Sequence, residues 1–376
     1  MIPFIEPRVH ITDKKEIKQY DEIAKRIGLS GYAVLGKKFQ KKAKPDSKNE
    51  FVKQYSRFEI DENQVGKVRN LLPKVRHSYE LISVKTTSAK VAQWVIKDNR
   101  VDILVIHTKN IKELINHQLA NVAASNQTFF EIDLSFLLDQ KTSNKSFHLR
   151  AIARCLNILM KEQAPFIFTT NVQDSLDFRD VRAIIALANL VGVPSKIIKE
   201  NLKRFYERVT LNNKKLSEEF VAPGVWIKNE KGKEKKIKET AEQQDIEDLL
   251  DDLELPLSLQ QMSSVNDKSE RQRYLLFEIL TKEKFNTDEK EFAKQIWKRF
   301  SLYFGEVGSS RMGLYITHYN VEKKIGIIRC SHYTLESLRA VLSTITEISN
   351  CKVLIHIIKV SGTLRNLITI HRRKSE

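Results

Sequence analysis

Histidine and carboxylate side chains at the ends of apolar segments are the residues of this sequence that could assemble a hydrolytic metal centre. His10 follows the first apolar segment, while His107 and Asp133 each end a later one. Phosphoesterase sites of this type cluster several such ligands and usually open with a His-x-His pair, but positions 8 and 12 hold Arg8 and Thr12. His107 and Asp133 alone are too few to hold a metal ion, so we predict no catalytic residue and no metal ligand in this chain.

Other catalytic patterns are missing from the sequence. It contains no GxxxxGK[ST] loop, no GxGxxG after a strand and no GxSxG elbow. Cys155, Cys330 and Cys351 form no CxxC pair, which argues against a disulfide framework and against a cysteine-built zinc site. No apolar run approaches the ~18–20 residues of a membrane-spanning helix, and the first residues lack a secretion signal pattern. We therefore expect a protein of the reducing cytoplasm with no membrane partner.

The excess of basic side chains indicates the kind of partner that this protein binds. Lysine and arginine total 64 against 47 acidic residues, a formal charge of +17, which favours a polyanionic partner because neutralised phosphates release condensed counterions. The charge is uneven: residues 1–228 carry +14, residues 229–269 carry −5 and residues 270–376 carry +8. The acidic stretch cannot bury enough apolar surface to offset its ordering entropy, so we predict two domains, 1–228 and 270–376, joined by a linker, 229–269.

Three basic clusters could contact RNA. One lies in a loop-like stretch, one on a predicted helix and one at the end of the chain: Lys37, Lys38, Lys41, Lys42, Lys44, Lys48, Lys53 and Arg57; Lys196, Lys199, Lys203, Arg204 and Arg208; and His371, Arg372, Arg373 and Lys374. A single cluster of this kind is usually a solvated surface. Three clusters without a catalytic constellation favour RNA binding by at least one of them.

The elements before the linker alternate between strand-like and helix-like patterns. Short apolar runs rich in β-branched or aromatic residues predict strands at Gly31–Leu35, Tyr55–Ile60, Glu80–Val84, Asp102–Ile106, Phe129–Leu134 and Pro165–Thr169. Helical periods separate them, and weaker strands lie near Phe4 and Val225. This rhythm predicts a (β/α) TIM-like barrel of about seven or eight strands, with an open doubly wound sheet as the alternative.

The last 107 residues predict a different fold. Two helices, Asp288–Phe304 and Leu335–Ile348, alternate with strands at Arg273–Leu280, Leu314–Tyr319, Ile325–Arg329, Val353–Val360 and Leu364–His371. That order predicts a ferredoxin-like α/β sandwich with one added strand. RNA recognition motifs stack bases on aromatic residues of two central strands, but here Tyr274 and Phe277 face opposite ways, so phosphate and shape contacts are the better prediction.

The C-terminal segment resembles archaeal ribonuclease P protein component 2. The resemblance covers nearly the whole domain and depends on Arg273-Tyr274, Glu278, Phe304-Gly305-Glu306-x-Gly308, Tyr319, Gly326-Ile327-Ile328-Arg329-Cys330, Arg339 and Val360-Ser361-Gly362-Thr363-Leu364-Arg365.

The N-terminal segment resembles component 3 of the same particle, a barrel-like protein. Its matching residues are Arg100-Val101-Asp102-Ile103-Leu104, Phe130-Glu131-Ile132-Asp133-Leu134, Arg150, Phe166-Ile167-Phe168-Thr169-Thr170, Arg179-Asp180-Val181-Arg182 and Leu190-Val191-Gly192. The opening strand, Phe4 to Arg8, and the Lys-rich stretch after Leu35 depart from that pattern. The two components are normally separate chains that bind one another, and here one chain carries both.

The resemblance implies a protein subunit of RNA-based ribonuclease P, in which the RNA subunit cleaves the 5′ leader from precursor tRNA. The expected cofactor is Mg²⁺ acting through the RNA subunit, with none bound by the protein. Expected partners are the ribonuclease P RNA, precursor tRNA, other ribonuclease P protein components and a second copy of this chain, paired through the C-terminal domain.

The basic residues predicted to contact RNA are Lys41, Lys42, Arg150, Arg154, Arg273, Arg329, Arg365, Arg372 and Arg373. Arg329 and Arg365 could instead form internal ion pairs. Two other functions stay open on the sequence alone: a metal-dependent phosphoesterase on the barrel, and an RNA-binding module of another ribonucleoprotein.

Overall fold

The computed structural model describes residues 3–36, 52–106, 110–139, 145–217, 220–222, 225–226, 271–365 and 367. The chain divides into two compact units, Pro3–Lys228 and a second unit drawn from Asn229–Glu376. The predicted linker, 229–269, lies outside the described residues. Within the described ranges, no helix is both long enough and apolar enough to cross a membrane.

The first unit is built on seven parallel strands that pair in sequence order. They are β1 (Ile5–Val9), β2 (Gly31–Leu35), β3 (Lys53–Asp61), β4 (Leu81–Thr86), β5 (Ile103–Ile106), β6 (Phe129–Asp133) and β7 (Phe166–Thr169). β2 begins at Gly31, where an added Cβ would lie 2.5 Å from the carbonyl oxygen of Lys53, so glycine permits the pairing of β2 with β3 at that point. The six clear strand predictions agree with the structure to within two residues at each end.

The sheet curves until its first and last strands nearly meet. The His10 amide donates to the carbonyl oxygen of Val172 at 2.8 Å, and the Val172 amide donates to the carbonyl oxygen of Arg8 at 3.1 Å. Val9 and Val172 thereby form a parallel bridge across the gap. The barrel prediction is confirmed, and the open doubly wound alternative is wrong.

Helices surround the strands and close one end of the barrel. They are α1 (Ile17–Arg26), α2 (Val65–Arg76), α3 (Ala89–Val95), α4 (Ile111–Leu114), α5 (His117–Asn126), α6 (Ser135–Leu138), α7 (Lys145–Lys161), α8 (Val181–Leu190) and α9 (Ser195–Lys215). Phe205 and Val209 of α9 join a buried cluster with Tyr55, Leu81 and Phe129 from the early residues of their strands. The Phe205 and Phe129 rings meet edge to face at 5.3 Å, so α9 seals the N-terminal end of the barrel.

The strand predicted near Val225 exists but is not an eighth barrel strand. β9 (Val225–Trp226) pairs antiparallel with β8 (Phe220–Ala222) in a separate two-stranded sheet. Pairing with the adjacent chain segment closes a much shorter loop than insertion between β7 and β1 would.

The second unit contains a four-stranded antiparallel sheet. Its strands β10 (Gln272–Leu280), β11 (Tyr315–Asn320), β12 (Ile325–Ser331) and β15 (Leu354–Ser361) lie in the order β11-β12-β10-β15. With α10 (Glu289–Ser310) and α11 (Leu335–Thr344) after the first and third of these strands, this is the ferredoxin-like arrangement predicted from the sequence.

The helices of the second unit cover one face of its sheet. Phe277 stacks on Phe292 of α10 at 5.1 Å between ring centroids, and Phe292 stacks on Tyr319 of β11 at 5.5 Å. Asp288, the N-cap of α10, accepts the Glu291 amide at 2.9 Å. α10 bends at Gly305, whose φ of 69° lies in the left-handed region that favours glycine.

Two predictions for the second unit are wrong. The second helix ends at Thr344 rather than Ile348, because Glu347–Ile348 (β13) pairs with Cys351–Lys352 (β14) in a short hairpin. The last predicted strand, Leu364–His371, is helical instead at 364–365 and 367, and the rest of its residues lie outside the described part of the chain. Leu367 is fully buried with Leu276 and Ile327 on the sheet face away from the two long helices, and this burial favours the helix there.

Candidate nucleic-acid interface

The C-terminal end of the barrel holds a network of buried charges. Glu131 of β6 accepts from Arg8 of β1 at 2.8 Å and from Arg57 of β3. Arg8 and Arg57 also pair with Glu59 of β3. The side chains of Arg57 and Glu131 have no exposed surface, and Arg57 donates further to the Ser83 hydroxyl at 2.9 Å and the Pro7 carbonyl at 2.8 Å. The two guanidinium groups thus neutralise Glu131 and Glu59.

Burial and neighbouring charge set the ionisation of these groups. Burial opposes the charged form of Glu131, but the Arg57 and Arg8 guanidinium groups outweigh it and lower the Glu131 pKa. Glu6 of β1 pairs with neither of these two arginines: burial raises its pKa to about 8, although the Thr169 hydroxyl donates to it at 2.6 Å and the Arg179 charge lies nearby. Burial likewise raises the pKa of Asp133.

The residues considered for a metal centre do not assemble one in the described part of the chain. His10 Nε2 lies 2.8 Å from the Asn171 side-chain oxygen, and Asp133 accepts the Ser135 amide at 2.8 Å. His107 lies outside the described residues. Among the residues that the structure does describe, no group of three or more His, Cys, Asp or Glu side chains is placed to hold a metal ion. Arg8 and Arg57 fill the C-terminal end of the barrel, which we call the barrel mouth. Their positive charge makes the barrel mouth poorly suited to a divalent cation.

Arg150 and Arg154 lie together on the outer face of α7. They are four residues apart, which places them on one side of the helix, and both are exposed. Neither makes an ion pair or hydrogen bond with any described residue. On the same surface Phe147 is 48% exposed, and the Lys112 ammonium of α4 lies 4.7 Å from its ring centroid. Basic and aromatic groups side by side suit the phosphates and bases of RNA. We call Lys112, Phe147, Arg150 and Arg154 the α7 surface.

The predicted arginines of the second unit do not share one face of the sheet. Arg273 pairs in register with Cys330, whereas Arg329 pairs with Tyr274 on one side and Tyr315 on the other. Cys330 belongs to the core under the helices, so Arg329 lies on the opposite face. The Arg329 guanidinium sits 5.4 Å from the Tyr315 ring centroid and makes no ion pair with a described residue.

Arg365 is exposed on the helical residues that follow the Ser361–Thr363 turn. Its position beside Leu364 and Leu367 places it near the sheet face that carries Arg329. The other four predicted RNA contacts lie outside the described residues: Lys41, Lys42, Arg372 and Arg373.

Sequence reasoning misassigned one residue and overlooked others. Arg57, grouped with the Lys-rich loop, is a buried residue of β3, as its apolar neighbours Tyr55, Phe58 and Ile60 could have indicated. Tyr315 was overlooked although it lies in the predicted strand Leu314–Tyr319, and it is 58% exposed beside Arg329. Lys112 and Phe147 are 35 positions apart in the sequence, so only the packing of α4 on α7 brings them together.

The fold is that of a two-domain α/β protein. Arg8 and Arg57 neutralise buried carboxylates inside its barrel, whereas Arg150 and Arg154 on the outside face solvent. The chain belongs to the RNase P subunit p30 family over residues 3–218 and to the Rpp14/Pop5 family over residues 273–369. Both resemblances stated from the sequence are confirmed, and one polypeptide joins the two families.

Relatives of the two halves carry corresponding names. Ribonuclease P protein component 3 of Halorubrum lacusprofundi is 26% identical over 167 residues, 44% of this chain and 69% of that protein. Ribonuclease P protein component 2 of Pyrococcus abyssi is 31% identical over 98 residues, 26% of this chain and 81% of that protein. A chain from a cryo-EM structure of archaeal ribonuclease P with mature tRNA matches 61% of this chain and all of its own length, at 19% identity and a TM-score of 0.48.

Proposed function

We propose that this chain binds and stabilises the catalytic RNA of ribonuclease P while the RNA removes the 5′ leader of precursor tRNA, and that the chain supplies no catalytic group. The observation that carries the proposal is the α7 surface, where Arg150 and Arg154 are exposed and unpaired among the described residues. Glu131 and Glu59 in the barrel, by contrast, are paired with Arg8 and Arg57. Membership of two ribonuclease P protein families supports the assignment to this particle.

The physical role of the protein follows from the charge of RNA. Closely packed phosphates repel one another, and arginine reduces that repulsion while its planar donors fix the position of a backbone. In this proposal Mg²⁺ acts through the RNA subunit and the protein binds none. The RNA contacts are those named from the sequence: Arg150, Arg154, Arg273, Arg329, Arg365, and, outside the described residues, Lys41, Lys42, Arg372 and Arg373.

The proposed partners are the ribonuclease P RNA, precursor tRNA, other ribonuclease P proteins and a second copy of the chain. We expect a homodimer formed through the C-terminal domain, in the cytoplasm. Light scattering on the purified full chain measures its mass directly, and a value of one chain at micromolar concentration would contradict the dimer.

Cleavage of precursor tRNA tests the function. The purified chain is incubated with substrate in Mg²⁺, with and without its cognate RNA subunit, across a series of Mg²⁺ concentrations. The expected result is no cleavage by the protein alone, and cleavage by the RNA at a lower Mg²⁺ concentration when the protein is present. A variant in which alanine replaces both Arg150 and Arg154 should need more Mg²⁺ than the wild-type chain.

Two outcomes would contradict the proposal. Cleavage by the protein without RNA would place catalytic groups in this chain, as in the phosphoesterase alternative, and metal analysis of the pure protein would then identify the ion. An unchanged Mg²⁺ requirement would indicate another ribonucleoprotein, which sequencing of the copurifying RNA would identify.

A further inference from the structure

A cavity of about 560 Å³ opens at the N-terminal end of the barrel, beside α9. Four of its lining residues are basic: Arg76 at the end of α2, Arg100 before β5, and Arg208 and Lys215 of α9. The rest are small or amide-bearing: Asn99, Ser125, Asn126, Gln127 and Asn212. None of the RNA contacts proposed above lies in this basal cavity.

One buried carboxylate, that of Asp102, holds two of the four basic side chains in place. Asp102 has no exposed side-chain surface and accepts from Arg76 at 2.6 Å, from Arg208 at 2.8 Å and from the Asn212 amide at 2.9 Å. Arg76 and Arg208 come from helices far apart in sequence, and their shared acceptor holds both at the cavity wall. Arg76 also donates to the carbonyl oxygens of Arg100 and Glu80, at 3.4 Å each, and Arg208 donates to that of Asn99 at 3.1 Å. Each guanidinium has five N–H donors, so both keep donors that these acceptors do not use.

The cavity carries more positive than negative charge. Asp98 pairs with Arg100 at 2.6 Å and Asp102 pairs with two arginines, so two carboxylates oppose four cations. Lys215 is exposed and has no ion pair among the described residues. Partial burial lowers the Lys215 pKa, and the nearby Arg208 and Arg76 charges lower it further against the opposing charge of Asp102. An anion in the cavity would relieve that repulsion.

We infer that the basal cavity binds a backbone phosphate of RNA, an inference that rests on the proposed function and adds a second contact surface to it. Phosphate oxygens accept from guanidinium and ammonium groups in the arrangement that Arg76, Arg100, Arg208 and Lys215 provide. The volume lies in the range that holds a small molecule rather than a single ion, which leaves space for the adjoining ribose. Asn99 and Gln127 also line the cavity, and a 2′-hydroxyl can both donate to and accept from side-chain amides.

Lys214 and Lys215 provide a matched pair of variants. Both are exposed lysines in the last turn of α9, but only Lys215 lines the cavity. Lys215→Gln and Lys214→Gln each remove one charge from the same helix turn, and neither removes an ion pair between described residues. Affinity of the full chain for its cognate ribonuclease P RNA is measured across a salt series, with inorganic phosphate as a competitor at constant ionic strength.

The expected result is that Lys215→Gln weakens RNA binding roughly three- to tenfold and lowers the salt slope by about one, while Lys214→Gln matches the wild type. Phosphate should compete with RNA for the wild-type chain more strongly than for Lys215→Gln. A second variant, Arg100→Gln, should behave as Lys215→Gln does.

Equal slopes for all variants, with wild-type binding intact, would overturn the basal cavity as an RNA site and leave the proposed function standing. Failure of the folded wild-type chain to bind the RNA would instead overturn the proposed function, and the cavity assignment with it. Phosphate binding that Lys215→Gln abolishes, without any change in the RNA slope, would show a site for free anions and would also overturn the inference.

Discussion

Arginine occurs in two settings in the barrel unit, and the settings differ in what the guanidinium group can reach. Arg57 is fully buried and donates to Glu131, Glu59 and the Ser83 hydroxyl. Arg150 and Arg154 are exposed on α7 and make no ion pair with a described residue. Releasing Arg57 would leave the buried Glu131 carboxylate with one cation instead of two, whereas the α7 arginines exchange only water for a phosphate. Burial and partners, more than the number of arginines in a segment, decide which ones can bind RNA.

The largest effect is expected from breaking the buried network. Arg57→Met leaves Glu131 with one cation instead of two and should lower the free energy of unfolding by about 3–5 kcal/mol. Urea denaturation of the full chain measures the change. Adding Glu131→Gln should recover part of the loss, because the uncompensated charge is then removed. A single-variant loss below about 1 kcal/mol would show that the network does not stabilise the barrel.

The pH dependence of the free energy of unfolding should reveal the raised pKa of Glu6. The Glu6 pKa is raised from 4.5 to about 8 in the folded chain, so the folded state holds a proton that the unfolded state has released between these values. The free energy of unfolding should therefore fall as pH rises from about 4.5 to about 8, and then level off. Glu6→Gln, which keeps the neutral shape, should remove that slope in denaturation curves. An identical slope in the variant would assign the effect to another group.

The α7 surface should show the opposite pattern, a binding effect without a stability effect. Replacing Arg150 and Arg154 by alanine should change the free energy of unfolding by less than about 0.5 kcal/mol. It should weaken RNA binding and lower the salt slope by up to about two. Lys161→Ala, an exposed change at the end of the same helix, is the control for loss of charge alone. An unchanged slope in the double variant would exclude the α7 surface from the RNA interface.

The smallest effect is expected in the second unit. Arg329 lies over the Tyr315 ring at the solvent-exposed end of the sheet, and such contacts contribute about 0.5–1 kcal/mol. A double-mutant cycle with Tyr315→Leu and Arg329→Met should give a coupling energy of that size in thermal denaturation. Zero coupling would mean that the arginine is held by its strand and not by the ring.

Much of the fold could be predicted because local patterns carry it. The six clear strands before the linker match the structure because each is a short apolar run between helical periods. The helix predicted from Asp288 in the second unit also forms, because Phe292, Ile296 and Phe300 recur at helical spacing and all three are buried. The helical conformation at 364, 365 and 367 could not be predicted in this way. It depends on an apolar sheet face that no local pattern reveals.

Which basic side chains are buried and which face solvent was predicted less well, for a related reason. Arg150 and Arg154 could be chosen from the sequence because their spacing on a helix places them on one side. Arg57 and Arg208 stood in basic clusters of the sequence, yet the fold pairs them with Glu131 and Asp102 over separations of 74 and 106 residues. A list of basic residues cannot distinguish these two cases.

The sequence by itself determined the succession of strands and helices, the uneven distribution of charge along the chain and the resemblance to two ribonuclease P protein families. All three depend on residues that are close together in the sequence. Tertiary structure alone decided which charged side chains are buried and which face solvent. It buried Arg8 and Arg57 against carboxylates in the barrel mouth, left the α7 arginines in water, and gathered Arg76, Arg208 and Lys215 around one cavity. The physical reason is that the energy of a charge depends on its solvation and its partners, and both are set by residues distant in the chain.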